Sequence, residues 1–287
     1  MRDTDRAEVN PVEERPRTAA QQRAAAVRAR GGGRVGLDRE AREAEDKAIE
    51  QWIDEGPVRS EAVAAVERAE PRRQRSAELD PEVAERIGAV VPSAQRAARL
   101  RERLTAGYEA LGRDRFGDAR RIGNSVLKEL TEVAAAHELV GFANYRLGAW
   151  RQAAVALERA QTLRPDPGTM PVLMDCLRAM GRHREVEAVW RELKEASPGH
   201  EVMAEGRIVM AGSYADRGDL RSAIDLMESA ATRPKRVRDH HLRQWYVLAD
   251  LYDRAGDVIG ARRWFETIAA NDVEFVDVRA RLRALGR

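Results

Sequence analysis

The sequence predicts an all-α fold: a right-handed solenoid of about five helix-turn-helix units behind a disordered N-terminal arm. Three observations predict it. Charged residues make up 34% of the chain and aromatics only 5%, with Ala, Glu, Arg and Leu abundant; these are strong helix formers with few strand formers among them. Small residues return at fixed intervals from about residue 93 onward, and a glycine returns at a fixed place between them. The 43% of apolar residues is enough for a core, so the chain as a whole is not disordered.

Residues 1–75 follow other rules. The stretch from Arg15 to Arg34 holds six arginines and no acid and contains the triple glycine 31–33; it has too little apolar surface to offset the entropy of ordering, and disorder is expected. Residues 38–55 are acidic, with eight Asp or Glu against three Arg or Lys. Within them Ile49, Trp52 and Ile53 share one face of a short amphipathic helix expected over 44–55, which Gly56-Pro57 would end. A second short helix is expected over 60–69, capped by Ser60, with Val63 and Val66 on one side.

Regular helix punctuation begins at Asp80-Pro81, a cap followed by a first-turn proline, and restarts at Pro92-Ser93. The clearest unit is residues 141–165, GFANYRLGAWRQAAVALERAQTLRP, with Gly141, Ala153, Ala160 and Pro165 as marks. In steps of 33 to 38 residues the marks recur as Gly107, Ala119 and Val126; Met174, Val186, Leu193 and Pro198; Ala211, Ala223 and Ala230; and Ala249, Ala261 and Ile268. Seven residues after the first mark stand Gly148, Gly181, Gly218 and Gly256; four after the second stand Leu157, Trp190, Met227 and Phe265. Self-similarity at this period is the signature of a solenoid. The glycine suits a left-handed helix end, the small marks let paired helices approach, and the proline pushes its predecessor out of helical geometry. Residues 274–285, EFVDVRARLRAL, read as a capping helix with Val278, Leu282 and Leu285 on a face. The repeat region is thus expected to run over 80–287.

The pattern resembles the tetratricopeptide repeat (TPR), whose 34-residue units carry small residues, aromatics and a closing proline at these relative places. Gly141, Tyr145, Gly148, Ala153, Ala160 and Pro165 form the best unit, followed by Trp245, Leu248, Ala249, Tyr252, Gly256, Ala261 and Phe265. The first unit departs from the pattern, with Gly123 where a large apolar residue is expected. The resemblance implies a non-catalytic scaffold or adaptor for protein-protein interaction, in which the first helix of each unit lines a groove that holds a peptide or helix. Carried over by position, the groove residues are Tyr108, Leu139, Phe142, Tyr145, Val172, Ile208, Val209, Tyr246 and Val247, with Arg243 and Asp250 among them. Glu138 and Asp175 stand at places where some members hold the Lys and Asn of a carboxylate clamp, which disfavours capture of a free C-terminus. The apolar groove instead suits an amphipathic helix. The Trp52 helix of the same chain is a candidate internal occupant.

No motif for cofactor or metal chemistry stands out. There is no phosphate-binding loop, and His137-Glu138 lacks the second histidine of a zinc-protease helix. His240 and His241 are adjacent and would point apart on a helix, a poor chelate. Cys176 is the only cysteine and reads as a buried small hydrophobe; Ser213 after Gly212 falls at a core position. No cofactor is expected, and no enzyme. Net charge is +2, so any nucleic-acid contact would come from local blocks: residues 15–34 and a second basic cluster over 233–243. A cytoplasmic location fits the charged N-terminus, the single cysteine and the want of a long apolar run.

Overall fold

A computed structural model describes residues 79–232 and 234–286. The arginine-rich stretch 15–34, the helices expected over 44–55 and 60–69, and Ile49, Trp52 and Ile53 lie outside the described residues. What is described is an all-α repeat solenoid of twelve helices. Helix α1 (Pro81–Val90) precedes five hairpins: α2 (Ala94–Gly112) with α3 (Phe116–Leu127), α4 (Ala134–Arg146) with α5 (Trp150–Leu163), α6 (Met170–Ala179) with α7 (His183–Ala196), α8 (His200–Asp216) with α9 (Leu220–Glu228), and α10 (Asp239–Arg254) with α11 (Val258–Ala269). Helix α12 (Val278–Leu285) closes the last hairpin.

The punctuation acts as the sequence foretells. Asp80 accepts from the Glu82 amide at 2.9 Å with Pro81 in the first turn, and Ser93 Oγ accepts from the Arg96 amide at 3.3 Å. Gly148, Gly181, Gly218 and Gly256 all have positive φ, between 70° and 82°. At each of these turns the amide just beyond the glycine folds back: Ala149 to Asn144, Arg182 to Leu177, Asp219 to Tyr214 and Asp257 to Tyr252, all at 2.9–3.0 Å. This is the Schellman closure, which satisfies carbonyls that the helix end would otherwise orphan. The first hairpin makes the same closure, Arg115 to Ala110 at 2.8 Å, with Asp114 at φ 57° in the glycine's place.

The marks are where the helices touch. Ala119, Ala153, Val186, Ala223 and Ala261 have no exposed surface. A Cβ on Gly141 would lie 2.7 Å from Leu157 Cγ and Cδ2, so α4 and α5 come together there only because the side chain is missing. Gly123 is explained in the same way. A Cβ there would lie 2.7 Å from Val140 Cγ2, so α4 supplies the apolar bulk that α3 omits.

Ala230 falls just beyond α9, which stops at Glu228, and Ser229 Oγ donates to the Leu226 carbonyl as the helix ends. Ser197, before Pro198, is left-handed (φ 44°), out of right-handed helical geometry as expected before a proline. One expectation is corrected. The terminal helix begins at Val278 and not at 274, because Val276 has φ 50° and breaks the run; Phe275 is nonetheless buried. Val278 is fully buried, and Leu282 and Leu285 pack against the same core.

Candidate functional site

Successive first helices contact one another, α2 with α4, α4 with α6, α6 with α8 and α8 with α10, in addition to their contacts with second helices. They therefore form an inner layer. Helix α4 is buried from Ala134 to Tyr145 except at His137, and α10 from Leu242 to Leu251 without a gap. A helix buried around its whole circumference needs partners for its polar groups.

Many of those partners come from the adjacent repeat. Tyr108 donates its hydroxyl to the Ala135 carbonyl at 2.7 Å, Tyr145 donates to Asp175 Oδ2 at 2.6 Å, and Tyr246 donates to Asp277 Oδ1 at 2.6 Å. Arg178 pairs with Asp175 at 2.9 Å and with Asp216 at 2.8 Å; Arg207 donates to Gln244 Oε1 at 2.9 Å. Arg281 of α12 reaches Asp250 at 2.7 Å and Asp253 at 2.9 Å. Burial, with the Asp175 carboxylate beside it, drives the Tyr145 phenol pKa well up. Burial likewise raises the Asp250 carboxyl pKa, against the opposing pull of Arg281.

Among the residues predicted to line a groove, Tyr108 is half-buried and all the others are buried. Leu139 lies over the bare backbone of Gly107, where a Cβ would collide with its Cδ2, and so wedges α4 against α2. Phe142, Val172 and Val209 belong to one apolar cluster, and Ile208, Tyr246 and Val247 to a second. Arg243 forms a buried ion pair with Glu205 of α8 and lies 3.6 Å from Asp239. It is therefore drawn inward and is not a free member of the basic cluster over 233–243. Sequence reasoning missed the tyrosine-to-carboxylate links because their partners stand 30 and 31 residues apart. The signal was present in the repeat step itself: polar residues one unit apart on first helices become neighbours.

Catalytic and metal chemistry find little to stand on in the described part. His183 Nδ1 lies 2.9 Å from Ser213 Oγ, a nucleophile-base distance, yet Ser213 has no exposed surface to meet a substrate. Cys176 is buried as expected. Among the described residues no group of three or more His, Cys, Asp or Glu could hold a metal ion. No described helix is long and apolar enough to cross a membrane.

The crystal structure of a thermophilic TPR protein of Thermus thermophilus superposes on this chain with a TM-score of 0.51 and 17% sequence identity, covering 65% of this chain and 98% of that one. The chain has a TPR-like helical-repeat fold. The share covered is close to the part of the chain over which the sequence marks recur, about residues 93 to 275. No protein-family model matches the sequence, and neither does any curated protein.

Proposed function

We propose that the chain is a non-catalytic protein-protein interaction scaffold that takes a peptide or helix along the layer of its TPR-like first helices. The single observation that supports this most is the chain of polar links through that layer: Tyr108 to Ala135, Tyr145 to Asp175, Arg178 to Asp216 and Tyr246 to Asp277. Such links hold the layer in place, so a side chain that is still partly reachable on it, as half-buried Tyr108 is, loses little freedom when a partner arrives, and binding there has a low ordering cost. Phe142, Val172, Val209 and Val247 are buried in the two apolar clusters and brace that layer from within.

The test is affinity capture from the native cell with the full chain, followed by hydrogen exchange on the purified complex. Added protection on α2, α4, α6, α8 and α10, together with loss of capture on Tyr108→Asp, is the expected result. Protection confined to α3, α5, α7, α9 and α11 would place the partner on the second helices and overturn the reading.

A further inference from the structure

Three of the five histidines gather where α8 and α10 begin. His200 opens α8, and His240 and His241 are the second and third residues of α10 after its N-cap, Arg238. The sequence suggested that His240 and His241 would diverge, but their ring centroids are 4.0 Å apart. The reason is the cap. The Arg238 amide donates to Nδ1 of His241 at 3.0 Å, which turns that ring back over the first turn. A residue three positions into a helix that accepts from the N-cap amide completes a capping box, a task usually given to Glu or Gln.

An imidazole can accept at Nδ1 only while neutral, with its proton on Nε2. An imidazolium carries N–H at both nitrogens and would set donor against donor. Most of what surrounds the pair resists a positive charge; the exceptions are the nearby acids and the Arg238 backbone, which favours charge on His241. His240 is only 6% exposed, and both rings lie in the first turn of α10, the positive end of its dipole. Arg238 and His200 add like charge. On the other side stand Glu201, which favours charge on His240, and Asp239 and Glu205, both engaged with Arg243. The buried residues of α9 and α11, which also pack on α10, are apolar: Ala223, Ile224 and Met227, and Ala261, Trp264, Phe265 and Ile268; the charged groups at α12, Arg281 and Asp277, are engaged with Asp250, Asp253 and Tyr246.

We infer that the start of α10 is an acid-sensitive latch: neutral His241 caps the helix, and protonation of the His240–His241 pair releases the cap and loosens the fifth hairpin from the fourth. This stands independently of the scaffold reading. Burial, first, and neighbouring like charge hold both histidine pKa values below the ordinary 6.5. The sign follows from linkage. A depressed pKa means that the unfolded chain takes up protons which the folded chain refuses, so the stability is fully present above pH ~6.5 and is lost as pH falls through the folded values.

The test compares the full-length chain with His241→Gln, whose side chain accepts from the Arg238 amide at every pH. Thermal melts are run at pH 7.5 and 5.5, and the histidine rings of the parent are titrated by NMR. The parent should lose up to ~3–5 °C for each of the two histidines on acidification, since pH 5.5 lies about one unit below the ordinary 6.5. His241→Gln should match it at pH 7.5 and lose less at pH 5.5; groups other than His241 are common to both proteins. Ring pKa values for His240 and His241 at or above 6.5, or an unchanged fall in His241→Gln, would overturn the latch. Should the variant not fold, the ring titration of the parent decides alone.

Discussion

A side chain at Gly141 would have to occupy space that Leu157 already fills, with Cγ and Cδ2 both 2.7 Å from the nearest possible Cβ. Gly141→Arg should therefore overpack the second hairpin and cost about 1–3 kcal/mol or more, read as a lowered midpoint in thermal unfolding. A melt equal to the parent's would mean that α4 and α5 are not in close contact there. Val276 presents the opposite case. It is 56% exposed and held at φ 50°, a conformation that suits glycine and penalises a β-branched residue. Val276→Gly should raise stability by roughly 0.5–1 kcal/mol, since relief of the left-handed strain exceeds the added freedom of the unfolded chain. Denaturant unfolding checks this; a destabilised variant would show that the strain is absent.

Between elements, the links that matter most join one first helix to the next. Tyr145→Phe keeps the ring and its edge-on contact with Trp150, 5.4 Å between centroids, but removes the donor to a buried carboxylate. It should cost about 1.5–3 kcal/mol in a denaturant titration, the range for a hydrogen bond to a charged group. No measurable change would mean that Asp175 is satisfied by Arg178 alone. The helices themselves were legible in the sequence because their signals are local: caps at Asp80 and Ser93, glycines at the turns, small marks at the crossings. The ends of α9 and α12 were not. Ser229 back-bonds to Leu226 and Val276 flips to positive φ, and neither residue type announces that behaviour. At the candidate site, position along the repeat picked residues that stand on first helices. It could not tell a wedge such as Leu139 from a surface, because that depends on how closely the preceding hairpin approaches at Gly107 and Gly123.

Across the repeats as a whole, the apolar residues fall into two clusters, one running from Val83 to Met210 and the other from Ile208 to Val278. They meet on α8, which gives Val209 and Met210 to the first and Ile208, Ala211 and Ala215 to the second, while Tyr214 and Leu226 touch both. In a stack whose stability is a sum of unit and neighbour terms, damage stays near its origin. Trp245→Ala, in the second cluster, should cost about 3–5 kcal/mol. Hydrogen exchange should then show α10, α11 and α12 losing protection while α2 to α6 retain it. A uniform loss along all twelve helices would mean that the two clusters unfold as one.

The five turns share one backbone closure, each made entirely within its own hairpin and sealed by a bond no longer than 3.0 Å. Chain length is therefore quantised. Duplicating or excising a complete hairpin leaves every remaining turn chemically intact and presents a new neighbour with the same kind of face. Removing one or two residues from a helix turns everything beyond them by roughly 100–200° and carries its small marks away from their seats. Such an architecture can grow or shrink by recombination in whole units while tolerating few small deletions, and a library of tandem duplications should yield folded members far more often than one of short gaps.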